Sequence, residues 1–198
     1  MNIIFFIKSK TVNIDKYNIK DIPGSSGRLD VISRCILAAL IGGDRFDKNI
    51  QIWVFLDRYG TFIFNSESFN YESFPKNELM FTDYFVDFLQ KYSEKKAQNL
   101  NPLDSITNSK MKIIDAIKYF QEFNYNLYIL HENGHDFLEL LSSIKDKENI
   151  VFIVGSQEDE FLNSKDLLAL KIPTISIGNQ SYLASSVIRL LKLHLMAF

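Results

Sequence analysis

The run Ile172-Pro173-Thr174-Ile175-Ser176-Ile177-Gly178-Asn179-Gln180-Ser181-Tyr182-Leu183-Ala184 decides how this 198-residue chain is read. Thr174 to Ile177 is a short β-prone segment, Gly178 breaks it, and from Ser181 onward apolar side chains recur at helical spacing. The order is strand, tight turn, helix. It delivers backbone amides at the end of a strand beside a helix N-terminus, where α/β proteins bind small ligands. Upstream, Ile150 to Val154 is unbroken and apolar, then come Gly155 and the polar Ser156-Gln157-Glu158. Further upstream, Leu127-Tyr128-Ile129-Leu130 runs into His131-Glu132-Asn133-Gly134. If these three strands are parallel, their glycine-containing loops gather at one edge and line one pocket. Strand-ending glycines are also common punctuation, so the pattern alone leaves both readings open.

The remaining elements follow from periodicity. Asn2 to Ile7 reads as a buried strand, a polar loop runs through Lys20, and Pro23 to Gly27 reads as a flexible turn rich in capping residues. Leu29, Ile32, Ile36, Leu37 and Leu40 recur at helical spacing, and Gly42-Gly43 is placed to stop that helix. Gln51 to Leu56 and Thr61 to Phe64 predict a hairpin through Asp57 to Gly60. A helix is expected from about Asn77 to Lys96 with Leu79, Phe81, Phe85, Phe88 and Leu89 inward. A polar linker from Ala97 to Asn108 follows, then a helix from Ser109 to about Glu122. Crossover helices are expected around Phe137 to Ile144 and from Asn163 to Leu170, the second opened by a capping residue with an acid three positions on. The final helix, Tyr182 to Met196, is apolar nearly all round, which fits the middle of a core or the face of another subunit. Pattern alone gives an open α/β sheet with helices on both faces, in a single domain spanning residues 1–198.

Bulk composition narrows the function classes. With 46% hydrophobic and 23% charged residues the chain is an ordinary globular one. No charged region followed by an apolar stretch opens it and no apolar run reaches the length of a membrane span, so a cytoplasmic protein without a membrane anchor is expected. The single Cys35 excludes an internal disulfide and reads as core. A net charge of −2 is unusual for a nucleic-acid binder. The first fifty residues nevertheless hold eight Lys/Arg against five acids, leaving fourteen against nineteen in the rest, so any RNA contact is expected on the N-terminal portion. Glu158-Asp159-Glu160 reads as a solvated acidic loop. His131 and His135 are four apart but separated by turn residues, with no cysteine nearby, so no metal site is expected. His194 reads as interfacial or solvent-facing.

Four segments carry a family resemblance: Pro23 to Val31 (PGSSGRLDV), Leu130 to Gly134 (LHENG), Val151 to Gly155 (VFIVG), and Ile175 to Gly178 with Ser181 to Ala184 (ISIG and SYLA). In this order they resemble the archaeal tRNA pseudouridine-54 N1-methyltransferases, members of the SPOUT class of methyltransferases. The resemblance implies a mostly parallel α/β sheet with helices on both faces and a C-terminal trefoil knot, a homodimer paired partly through the last helix, and S-adenosylmethionine as cofactor. The implied reaction is methylation of N1 of a pseudouridine in the tRNA T-loop. Carried over by motif, the cofactor contacts fall on Leu130, Gly155, Ile175, Ile177, Gly178, Asn179, Gln180, Leu183 and Val187. The chain departs from the family pattern where Asn133 replaces an Asp, Ser156-Gln157 replace an Asp-His pair, and Val187 replaces a cysteine. Thr61 to Asn108 matches poorly. Methylation of a ribosomal pseudouridine, or RNA binding without catalysis, are the alternatives.

Arg28, Asp30 and Arg34 form the candidate catalytic group. Asp30 and Arg34 are one helical turn apart and can face the same side. Pseudouridine N1 carries a proton, and Asp30 is the candidate to accept it during transfer, with Arg28 and Arg34 binding phosphate or orienting the base. The plainer alternative is a helix N-terminus decorated with an acid for its dipole and arginines for solubility.

Overall fold

The computed structural model describes residues 1–94, 101–155, 161–178 and 180–196, with the backbone alone at 93 and 94. Its strands are β1 (Asn2–Ser9), β2 (Ile50–Leu56), β3 (Gly60–Asn65), β4 (Thr107–Ser109), β5 (Asn126–Asp136), β6 (Asn149–Val154) and β7 (Thr174–Ser176). Its helices are α1 (Ile22–Ser25), α2 (Leu29–Leu40), α3 (Glu78–Glu94), α4 (Ile113–Glu122), α5 (Phe137–Lys145), α6 (Lys165–Leu168) and α7 (Ala184–Met196). The strands form one sheet in the order β4-β3-β2-β1-β6-β5-β7. Every pairing from β2 through β1, β6 and β5 to β7 is parallel, and β3 and β4 extend the sheet antiparallel.

The central strands are apolar without alternation because both their faces are covered. Along β1, Ile3, Phe5 and Ile7 pack under α2, α3 and α7, while Ile4 and Phe6 meet Trp53, Phe55 and α4 on the other side. The expected three-layer α/β architecture is therefore borne out. The two crossovers that matter for a site are β1 to α2 to β2 and β5 to α5 to β6.

Several expectations change in physical detail. Pro23 to Gly27 is not a flexible turn. Asp21 caps α1 through its side chain, accepting from the Gly24 amide at 3.2 Å, and Gly27 sits at φ +60°, with Thr11 O 1.9 Å from where a Cβ would lie. Thr11 Oγ1 also donates to Gly27 O at 2.9 Å and the Asn13 amide to Ser26 O at 3.0 Å, so the entry to α2 is tied to the chain leaving β1. Helix α2 does not end on a left-handed glycine: Ile41 is extended, and Lys192 from α7 donates to the carbonyls of Ala38, Ala39 and Ile41 at 2.9, 2.8 and 3.0 Å. A buried ammonium thus does the work of a C-cap, paired to Asp47 at 2.6 Å. Burial, opposed by Asp47, lowers the pKa of Lys192.

Leu79 was expected inward but is 49% exposed, because α3 turns Phe81, Phe85, Phe88 and Leu89 to the sheet and Leu79 lies on its other side. Ser109 belongs to β4 rather than to a helix; α4 begins only at Ile113, after Met111 O has accepted a bond from Thr61 Oγ1. Of the expected linker, 97–100 lie outside the described residues, and Leu103 is buried, so the segment from 101 onward packs rather than merely connects. Helix α6 is capped by Ser164, one residue later than expected, and α7 starts at Ala184 rather than Tyr182.

Candidate active site

Two groups of residues meet the C-terminal edge of the parallel strands. The first is a cavity of about 350 Å³ between the ends of β5, β6 and β7 and the start of α7. That volume falls in the range of small-molecule sites, roughly 300–1,000 Å³. Its walls follow from three local features. In β5, Leu130 and His135 both pair with Ile175, so residues 131–134 bulge out of the ladder rather than forming the turn expected there. The bulge is held by the Asn133 amide donating to His131 Nδ1 at 3.1 Å. Gly134 is needed because a Cβ there would lie 2.5 Å from the Ile175 carbonyl carbon. After β7, Ser176 Oγ accepts from the Gly178 amide at 3.2 Å and donates to Gly178 O at 2.6 Å, folding the chain back toward α7.

Seven of the nine residues carried over by motif line this cavity: Leu130, Gly155, Ile175, Ile177, Gly178, Gln180 and Val187. Leu183 does not; it is 63% exposed and points outward at the foot of α7. Asn179 lies outside the described residues, as do Ser156, Gln157 and the acidic run at 158–160. His131, Glu132 and Asn133 of the loop expected at the pocket line it too, whereas sequence reasoning passed over Leu162, Ser176 and Tyr182 as contacts, which also line the cavity. Ser176 could have been found, since a hydroxyl two residues before a glycine is a common turn signal. Leu162 could not, because it reaches the wall only by long-range folding.

These walls fit a sulfonium donor. Strand-end main chain supplies amides and carbonyls, Ile175, Ile177 and Val187 supply apolar surface, and Glu132 is the one carboxylate among the described lining residues. No group of three or more His, Cys, Asp or Glu among the described residues could hold a metal ion, and no described helix is long and apolar enough to cross a membrane.

The second group is the ion-pair cluster at the start of α2. Asp30 is buried, its side chain 4% exposed, and it accepts from Arg28 Nε at 3.0 Å, Arg28 Nη2 at 3.2 Å and Arg34 Nη2 at 2.9 Å. Arg28 sits in the left-handed region at φ 68°, which turns its side chain back over the helix start. The hydrogen bond to Asp30 raises the pKa of Arg28 further above its ordinary value. Asp30 Oδ1 takes only one of the three bonds and keeps lone-pair capacity for an incoming N–H. None of Arg28, Asp30 and Arg34 lines the strand-end cavity of its own chain. Arg34 instead borders an open groove of about 770 Å³ with Arg189, Leu193 and Met196 of α7. The N-terminal excess of cations is partly neutralised internally, since Lys8 pairs with Asp57 and both Arg28 and Arg34 pair with Asp30.

Comparison with known proteins agrees with this geometry. Residues 1–197 match the family model described as "Putative SAM-dependent RNA methyltransferase". The tRNA (pseudouridine(54)-N(1))-methyltransferase of Pyrococcus abyssi is 28% identical over 97% of this chain and 96% of its own length. That of Methanococcus maripaludis strain C5 is 30% identical over 80% and 82%. In structure the chain is similar to Archaeoglobus fulgidus Nep1 bound to S-adenosylhomocysteine, with a TM-score of 0.67 at 16% identity, covering 100% of this chain and 98% of the other. A nearly full-length family match, an α/β fold shared with that neighbour and a donor-sized cavity at the strand ends lead to one assignment: the chain belongs to the SAM-dependent RNA methyltransferase family that includes the archaeal tRNA (pseudouridine(54)-N(1))-methyltransferases.

Proposed function

We propose that this protein transfers a methyl group from S-adenosylmethionine to N1 of pseudouridine 54 in the T-loop of tRNA, working in the cytoplasm as a homodimer with a trefoil-knotted C-terminal region. The observation that carries this reading is the cavity enclosed by Leu130, Gly155 and Gly178 at the edge where α2 presents Asp30. When bound there, the donor supplies a methyl on a positively charged sulfur. Glu132 complements the donor's positive charge, and the walls exclude water from the reacting methyl. Arg28 and Arg34 hold the acceptor nucleotide through its phosphate or carbonyl oxygens. Asp30 takes the N1 proton as the new N–C bond forms, so the base leaves the site methylated and neutral.

A second copy of the chain supports the arrangement. The acceptor cluster does not border its own cavity, and Leu193 and Met196 are left exposed on α7 beside it. Docking α7 against a second copy covers these side chains and brings the Arg28 region of one protomer toward the cavity of its partner. The target base must leave its stack to reach such a composite site. Incubation with a tRNA transcript containing pseudouridine 54 and methyl-labelled donor, followed by nucleoside mass spectrometry, is the test. Labelled N1-methylpseudouridine from that position supports the proposal. Label confined to a ribosomal RNA fragment, or none in any RNA, refutes it.

A further inference from the structure

We infer that Glu78, the first residue of α3, is a positioning residue that holds the Arg34 guanidinium in place for the acceptor nucleotide. The inference rests on the reading of Arg34 as part of the acceptor site. Arg34 Nη2 is fixed on Asp30, but its Nε is buried and has no hydrogen-bond partner. The group facing that Nε is the Glu78 carboxylate, 3.5 Å away, an ion pair without hydrogen-bond geometry. A guanidinium gripped on one nitrogen alone can swing about that contact; a second anion beside Nε fixes its plane. The backbone around Glu78 is placed for this task. Asn77 caps α3 by accepting from the Met80 amide at 2.9 Å. The Thr82 hydroxyl lies 2.7 Å from Glu78 O and 2.8 Å from Ser33 Oγ on α2, and both Thr82 and Ser33 are buried. The residue next to Arg34 in sequence therefore anchors the turn that carries Glu78. Glu78 and Arg34 also border the same open groove beside α7, so the ion pair lies where the proposed second copy docks and the composite site is completed. The segment from 61 to 108, which matches the family motifs poorly, would thereby serve the site without contacting the reacting atoms.

The test is a double-mutant cycle with Glu78→Gln and Arg34→Gln, measuring kcat and KM for tRNA together with S-adenosylhomocysteine affinity and Tm. Glu78→Gln is expected to lower kcat by about 10-fold or more with donor affinity unchanged, as misplacement of a substrate-orienting group does. Added to Arg34→Gln, it should cost nothing more, because residues acting through one another are not additive. Glu78→Asp, which keeps the charge on a shorter arm, should recover part of the rate. Wild-type kcat in Glu78→Gln alongside an impaired Arg34→Gln overturns the positioning role alone. So do multiplicative losses in the double variant, or a kcat loss that simply follows a fall in Tm. Wild-type turnover in Arg34→Gln instead overturns the acceptor-site reading, and the inference with it.

Discussion

The proposed donor cavity and the proposed acceptor cluster stand at the same edge of one sheet but are made of different material. The cavity takes its shape from backbone features: the ends of β5, β6 and β7, a bulge at residues 131–134 and a serine-held turn at Gly178. The cluster is built from side chains, Arg28 and Arg34 each within 3.2 Å of Asp30 at the first turns of α2. A pocket whose outline is set by backbone features keeps that outline when side chains change, and Asn133 and Val187, which depart from the family pattern, still line it. An ion-pair cluster has no such tolerance, because removing one member leaves buried charge without its partner.

Substitutions can break this contrast. Asp30→Asn should lower methyl transfer by about 100-fold or more while leaving S-adenosylhomocysteine affinity within about twofold, measured by single turnover and calorimetry. Equal losses in both would merge the two regions into one site. Lys192→Met leaves Asp47 and three α2 carbonyls without their cation and should cost about 3 kcal/mol of stability, read as a lower denaturant midpoint. Because that cation locks α7 to the far end of α2, the folded fraction should still bind donor.

Gly134→Ala forces a Cβ against Ile175 and should weaken donor binding by about tenfold without touching the Asp30 cluster. Gln180→Ala, at an exposed wall position, should change donor affinity by no more than about threefold. A larger effect would mean that side chains, not backbone, grip the donor. The buried Cys35 thiol is pushed up to about 12, so it stays protonated from pH 6 to 9 and should resist alkylation until the protein unfolds.

What the sequence made legible follows the same division. Continuous apolar runs announced β1, β2, β5 and β6, and helical spacing announced α2, because each signal is local. The strand-turn-helix at Thr174 to Ala184 pointed to the ligand edge for the same reason. The bulge in β5 was not legible, since it exists only through pairing with Ile175 across the sheet. Nor was the capping of α2 by Lys192, whose carbonyl partners lie more than 150 positions away. Strand β4 is read from the sequence as the end of a linker and the start of a helix because three polar residues carry no period. Periodicity places Leu79 inward and the motif places Leu183 at the cofactor, yet both are exposed.

Titration of S-adenosylhomocysteine into the purified protein by calorimetry, side by side with the Asp30→Asn variant, addresses the proposed donor cavity most directly. The account predicts saturable heat at one ligand per chain, the same in both proteins. Absence of heat from the wild type, or its disappearance in Asp30→Asn alone, would contradict it.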